Sequence, residues 1–458
     1  MKKSILIGII LIGGILLLFP VETLAQVELT LQDCITIALR DNKELKAYGA
    51  QALSRGEEVR IARKEFLPSL KAEGEYTLHD ESDRCIFSSN IFGPGFPPED
   101  TEFSAENQNI HGFTLTIEQP LFTGGRLSHS LEKSKTAQKG SLFEVKRQRA
   151  LLTSKVKSVF YEFMKERRCK EALERLIEAK RKRLSVLEDR YGQGYVQKEE
   201  IMQEETDIAF VNLDLGKSRD RESLAVSKLK QLLSYPEHEE ITLKGDLLNG
   251  HLSVSLQETK EAALRNRDDL QVFLARMKAA QEDVAIARSR FYPQASFEGN
   301  YTRQNETNIT RPKVWTLKAQ IDWSLFEWGK TQAEVARAQV ERQGVIHSHE
   351  ALRQEIMLEV EDAWIAVREK EELIDAHEKK LKTAEYKIGI IRDKYSEGQV
   401  KLIDVIEMET EMVRAYNEYL IAIADLDIEL ARLESSTSIF HDDWFKRKEV
   451  YQPDQSRD

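Results

Sequence analysis

Asp404 and Glu407 stand three residues apart just after the break "YSEGQV", so on a helix their carboxylates share one face. Such a pair attracts cations, and like charges gathered around it raise one another's proton affinity. On a chain with 32% charged residues the same spacing also describes an ordinary solvated face, and the pair alone does not decide between the two. Other residues offer less chemistry. His347 and His349 in "HSH" are two apart and point to different faces of a helix, which does not suit a shared metal ion. "GQG" at Gly192 to Gly194 follows no strand and opens no βαβ unit, so it is not a dinucleotide fingerprint. Nine scattered histidines give no nucleophile and base pairing, and neither a cofactor, a metal nor enzymatic activity is expected.

The break itself occurs twice. "RYGQGYVQKEEIMQEETDIAFV" (Arg190 to Val211) repeats the pattern of "KYSEGQVKLIDVIEMETEMVRA" (Lys394 to Ala415), with Tyr191 and Gly194 matching Tyr395 and Gly398 at an offset of 204. Near the start of the chain "LTLQDCITIALRDNKEL" (Leu29 to Leu45) matches "VSLQETKEAALRNRDDL" (Val254 to Leu270) at an offset of 225, and "IARKEFLP" matches "IARSRFYP" at the same offset. The 21 extra residues of the first copy fall within Asp80 to His111, whose "FGPGFPP" reads as a long surface loop. The chain is a duplication, and each copy reads helix, strand, loop, strand, long helix, break, helix.

In the first copy Asp33 to Phe66 reads as one helix ended by Pro68. Leu70, Ala72, Gly74, Tyr76 and Leu78 then alternate with polar residues, as do Phe113, Leu115 and Ile117. The second copy repeats this with Phe297 and Tyr301, then Trp315, Leu317, Ala319, Ile321 and Trp323. One such hairpin fits a half-buried sheet equally well; four strands with Tyr and Trp on the apolar face also fit a lipid-facing barrel wall. Strands in hydrocarbon must close, because each orphaned backbone group costs several kcal/mol there. Four cannot close, eight leave room only for side chains, and twelve from three copies enclose a lumen.

The long helices, Arg126 to Tyr191 and Lys330 to Tyr395, are 66 residues each, about 100 Å at the α-helical rise. Val360, Val367, Ile374, Leu381, Ile388 and Tyr395 recur at sevens, the spacing of a supercoiled seam. The return helix carries two apolar lines, one through Leu402, Val405, Met412, Tyr416 and Tyr419, the other through Ile406, Val413 and Leu420, implying a neighbour on either side. Asp33 to Phe66 and Gln197 to Leu233, laid end to end, match one long helix.

Lys2 and Lys3 precede an apolar run from Ile5 to Phe19 and the small-residue pattern before Gln26, which reads as an export signal. Cys34, Cys85 and Cys169 are odd in number and suggest no disulfide framework. A net charge of −11 leaves no footprint for nucleic acid.

In combination these marks resemble the outer membrane efflux protein family, the TolC-like channels. The carriers are "LTLQDCITIAL" and "VSLQETKEAAL", "ARKEFLP" and "ARSRFYP", "LFTGGR" and "LFEWGK", and "YSEGQVKLIDVIEMET", in order and twice, from about Leu29 to Leu433. The resemblance implies an α+β fold: a homotrimer with a twelve-stranded outer membrane barrel, set in lipid and continuous with a periplasmic helical tunnel. It implies an exit duct for efflux or type I secretion, served by a periplasmic adaptor protein and an inner membrane pump of the RND, ABC or MFS type. The units expected are a signal peptide (1–25), a periplasmic helix (26–69), a barrel hairpin (70–125), a helical hairpin (126–234), a linker (235–253), a second periplasmic helix (254–294), barrel hairpin (295–329) and helical hairpin (330–434), and a tail (435–458).

By the same resemblance Gly192, Gly194, Tyr195, Val196, Gly398, Gln399 and Val400 face the adaptor. Asp404 and Glu407 align with the family's carboxylate rings, and Tyr395 with a gate tyrosine whose acidic partner here reads Glu200, beside Glu199. Val400 stands where the best-known members carry a basic residue, so a closed state held by fewer polar contacts is expected. A secreted coiled-coil scaffold without channel activity is the alternative from another class, against which the doubled aromatic strands count. An adaptor would show a lipoyl-like β segment, and none is legible.

Overall fold

The computed structural model describes residues 27–78, 84–104, 109–304, 313–439, 445–447 and 450. The expected signal segment (1–25) lies outside these residues. In chain order the elements are β1 (Val27–Leu29), α1 (Leu31–Asp41), α2 (Lys43–Lys64), β2 (Ser69–Leu78), β3 (Arg84–Phe87), β4 (Thr101–Ser104), β5 (Asn109–Phe122), α3 (Arg126–Gly192) and α4 (Lys198–Leu233). There follow β6 (Ile241–Leu243), β7 (Gly250–Leu252), α5 (Leu256–Asn266), α6 (Asp268–Arg288), β8 (Gln294–Gln304), β9 (Lys313–Asp322), α7 (Lys330–Ser396), α8 (Leu402–Thr437) and β10 (Phe445–Arg447).

The duplication extends to single hydrogen bonds. Thr30 caps α1 by a reciprocal box, its N–H donating to Asp33 Oδ2 at 3.0 Å while the Asp33 N–H donates to Thr30 Oγ1 at 3.3 Å. Ser255 and Glu258 form the same box on α5 at the same two distances. One expectation is corrected in both copies. The segment read as a single helix from Asp33 to Phe66 is two helices, because Asn42 leaves the helical conformation (φ −55°, ψ 123°) and its side chain caps the Leu45 N–H at 2.8 Å. Its amide also donates to the Leu232 carbonyl at 2.9 Å, which ties the break to the end of α4. Arg267 makes the matching break between α5 and α6.

The four expected strands form one antiparallel sheet in the order β2-β5-β8-β9, with β5 and β8 joining the two copies. Its register sorts side chains by face. Ala72, Leu115, Tyr301 and Trp315 form one row, and Leu70, Ile117, Gly299 and Leu317 the next. On the opposite face Lys71, Thr116, Asn300 and Thr316 align. The apolar face is bare: Leu70, Tyr76, Trp315, Leu317 and Ile321 are all exposed. β2 and β9 are the sheet's two unpaired edges within the chain. The long loop of the first copy is not wholly irregular, since β3 and β4 pair antiparallel inside it.

α3 and α7 are 67 residues each, about 100 Å at the helical rise. Beside the sheet the wall runs α2, α3, α6, α7, and farther away it runs α4, α3, α8, α7. Val360, Val367, Ile374, Leu381 and Ile388 are buried, as their spacing of seven predicts, while Tyr395 at the end of the line is exposed. α8 packs against both α7 and α3, the two neighbours its two seams require. α4, in contrast, buries one seam through Leu215, Ser218, Ala225, Leu229 and Leu233 and leaves Met202, Phe210, Leu213 and Leu224 exposed.

The main core sits at the waist, where Phe160, Met164, Leu229, Leu233, Leu243 and Tyr419 meet. β1 pairs parallel with β6 there, and β7 antiparallel with β10, which attaches part of the tail to the linker. Cys34 and Cys169 are buried, and desolvation pushes their thiols up to about 12 and about 11, so they are inert packing groups.

Candidate functional site

Both long helices end in the same αL turn. In the first, the Tyr195 N–H donates to the Arg190 carbonyl at 2.9 Å and the Gly194 N–H to the Tyr191 carbonyl at 2.9 Å, with Gly194 at φ +80°. In the second, the Gln399 N–H donates to Lys394 at 2.8 Å and the Gly398 N–H to Tyr395 at 2.9 Å, with Gly398 at φ +72°. These are paired Schellman caps, in which glycine takes the left-handed backbone that satisfies the last carbonyls. Gly192 ends α3, and at this tip Tyr195 is 78% exposed while Val196 and Val400 are half-buried. The Gln399 side chain donates to Glu397 at 2.6 Å.

The two turns lie at the same end of the molecule, because α3 and α8 are bridged close to them. Arg183 on α3 bonds Glu407 on α8. Within the second hairpin Arg392 pairs with Glu409 at 2.9 Å and Lys387 with Glu411 at 3.2 Å. Asp404 occupies the third position of α8, where its carboxylate accepts the Lys401 N–H at 2.8 Å. It is thus a capping acid as well as one of the two carboxylates expected at the gate. Tyr395 is partly exposed, and among the described residues no hydrogen bond joins it to Glu199 or Glu200 within the protomer.

Sequence reasoning missed a cluster next to this site. Lys180 lies 3.4 Å from Glu204 and 3.0 Å from Asp207, and both Lys180 and Glu204 are nearly fully buried. The ammonium bonded to Asp207 holds its carboxyl below the usual carboxylate range. A signal was available: Glu204 falls on the three-and-four spacing that continues through Leu215, Ser218 and Leu229, so a charged residue occupies a seam position. His347 meets only Gln343 and Glu350 on its own helix, and no group of three or more metal-ligating side chains occurs among the described residues. Nor is any described helix long and apolar enough to cross a membrane, a statement that does not bear on strands.

A bare-faced sheet joined to a wall of helices some 100 Å long, ending in two glycine turns, defines the class of long helical wall attached to a β domain. The chain belongs to the outer membrane efflux protein family, whose family model matches residues 34–233 and 260–438. It is accordingly an outer membrane protein in a family of efflux proteins.

Among curated relatives it is 23% identical to "Nodulation protein T" of Rhizobium leguminosarum bv. viciae, over 37% of this chain and 36% of that protein. It is also 23% identical to "Cation efflux system protein CusC" of Escherichia coli (strain K12), over 41% of this chain and 42% of that protein. The matched stretch therefore spans less than half the length of either relative. A solved structure of CusC superimposes with a TM-score of 0.71 at 18% identity, covering 89% of this chain and 91% of that one. The outer membrane protein VceC of Vibrio cholerae superimposes at 0.68 and 16%, covering 89% and 95%. These structures share the fold, and the secreted scaffold finds no support among them.

Proposed function

We propose that three copies of the chain close edge to edge into a twelve-stranded outer membrane barrel continuous with a periplasmic tunnel. This trimer is the exit duct of a tripartite efflux or type I secretion system. The observation that carries this reading is a pair of open edges at every level. β2 and β9 end the sheet unpaired, and the helical wall ends on one side at α2 and α4 and on the other at α7, each with exposed apolar residues. On α7 these are Leu358, Ile365 and Tyr386, facing away from the seam that binds α8. A head-to-tail contact between unlike edges closes into a ring, and closure leaves no strand edge in lipid. Four strands per copy make three copies the smallest ring with a lumen wider than its side chains. The bare apolar rows face lipid, and the rows of Lys71 and Glu73 face water. Mass measurement of the detergent-extracted protein tests the assembly: three chains are expected, and a single-chain mass at micromolar concentration contradicts it.

The glycine turns form the periplasmic mouth. Gly192, Gly194, Tyr195, Val196, Gly398, Gln399 and Val400 form the surface for an adaptor's helical hairpin, coupled to an inner membrane pump. Asp404 and Glu407 form the acidic constriction, with Tyr395, Glu199 and Glu200 bordering it between neighbouring hairpins. Six carboxylates around one axis favour cations. Asp404→Asn with Glu407→Gln is expected to lower cation-over-anion permeability about tenfold, equivalent to about 1.4 kcal/mol of site preference. Reversal potentials in a salt gradient measure this, and unchanged selectivity removes these two residues from the constriction.

A further inference from the structure

We propose that Arg183 sets how much of the Glu407 charge reaches the conduction path, and that a buried ion cluster on the first helical hairpin holds Arg183 in place. The inference rests on the reading of Glu407 as a constriction residue. Arg183 crosses from the first copy to the second, bonding Glu407 with one nitrogen while another lies 3.4 Å from Glu204. Glu204 is 3% exposed, and Lys180, whose side chain is 4% exposed, holds it from the other side. Asp207 completes the cluster at 3.0 Å from Lys180. The buried Arg183 Nε has no hydrogen-bond partner among the described residues, so the two carboxylates define where the guanidinium sits.

Packing does not require this cluster. At the offset of 204 the second hairpin has Ala384 in place of Lys180 and Met408 in place of Glu204, with Ala384 buried in the seam. The buried Lys180 and Glu204 pair of the first hairpin is therefore replaced by two apolar side chains in the second, where Lys387 and Glu411, in the places of Arg183 and Asp207, pair directly at 3.2 Å. Withdrawing ions from water is unfavourable until pairing offsets it, and apolar replacements of similar volume are often as stable. What the charged version has, and the apolar one lacks, is a fixed carboxylate aimed at Arg183.

The effect on the constriction follows from charge. While Arg183 holds Glu407, that carboxylate is neutralised by a guanidinium that is itself anchored, and Asp404 carries most of the acidic character of the turn. Movement of α8 away from α3 separates the pair and exposes Glu407 to the lumen. Cation preference is then greater in the open duct than in the resting one.

The test uses the full-length assembled channel in planar bilayers, with reversal potentials in a potassium chloride gradient. Arg183→Gln is expected to raise the cation-over-anion permeability ratio several-fold. Lys180→Ala with Glu204→Met, which copies the second hairpin, is expected to raise it in the same direction by releasing Arg183. Adding Glu407→Gln to Arg183→Gln should remove the increase. If neither Arg183→Gln nor the paired variant changes selectivity while Glu407→Gln alone lowers it, the inference is overturned and the constriction reading stands. If Glu407→Gln also changes nothing, both fall. Should the paired variant fail to assemble, Arg183→Gln alone decides, since that side chain is partly exposed and not part of the apolar seam.

Discussion

Phe160→Ala is expected to destabilise the waist by about 3–5 kcal/mol, the range for truncating a fully buried aromatic side chain. Phe160 is 1% exposed and sits edge-on to Tyr161, with ring centroids 5.9 Å apart and planes at 86°. It also packs against the linker so closely that a Cβ added at Gly245 would lie 2.9 Å from its ring. The same core holds Leu229 and Leu233 of α4, Leu243 of β6 and Tyr419 of α8, so this ring touches the region where both copies and the linker converge. The loss should appear as a lowered midpoint in thermal unfolding followed by helical circular dichroism. A midpoint within 1 °C of the wild type, well inside what such a loss produces, contradicts the packing described.

Gly124→Val carries the second large effect, at the junction of sheet and helix. Gly124 has φ +62°, and a Cβ there would lie 2.5 Å from the Ser289 carbonyl oxygen and 2.9 Å from Tyr292 Cβ. The left-handed backbone alone costs a non-glycine residue roughly 1–2 kcal/mol. The steric conflict adds to that because a backbone carbonyl cannot swing aside like a side-chain tip. The approach joins the end of β5 in the first copy to the turn before β8 in the second, so its disruption should prevent the barrel wall from seating on the helices. Loss of folded trimer from the outer membrane fraction is the expected result. Gly194→Ala serves as the contrast: the backbone is also left-handed, at φ +80°, but nothing lies within 4 Å, and only the conformational cost applies. Equal yields of the Gly124→Val and wild-type trimers would show that the junction is not built as described.

Much of this architecture was legible because its signals are periodic or repeated. The spacing of seven from Val360 to Ile388 identifies the buried seam of α7 residue by residue, and alternation from Leu70 to Leu78 identifies the apolar face of β2. The matching glycines of the two breaks locate both turns. What was not legible depends on partners distant in sequence. Asn42 interrupts a good helical pattern because it caps Leu45 and reaches Leu232, 190 residues away. β1 and β6 are three residues each and pair in parallel across the whole first copy, a contact with no local signature. The Arg183 to Glu407 bridge spans 224 residues and joins the copies, so neither copy read by itself reveals it. Val400 brings no charge to the second turn, yet Arg183 supplies a polar link to the same end of α8 from the other copy.

On the proposed reading, copies of this chain enclose a continuous water-filled path. Planar-bilayer conductance of the purified wild-type assembly tests it most directly, with the reversal potential read in a salt gradient. Small unitary currents with a cation-preferring reversal potential are predicted. A correctly inserted assembly that carries no current under any applied potential would contradict the duct and leave only a membrane-anchored helical scaffold.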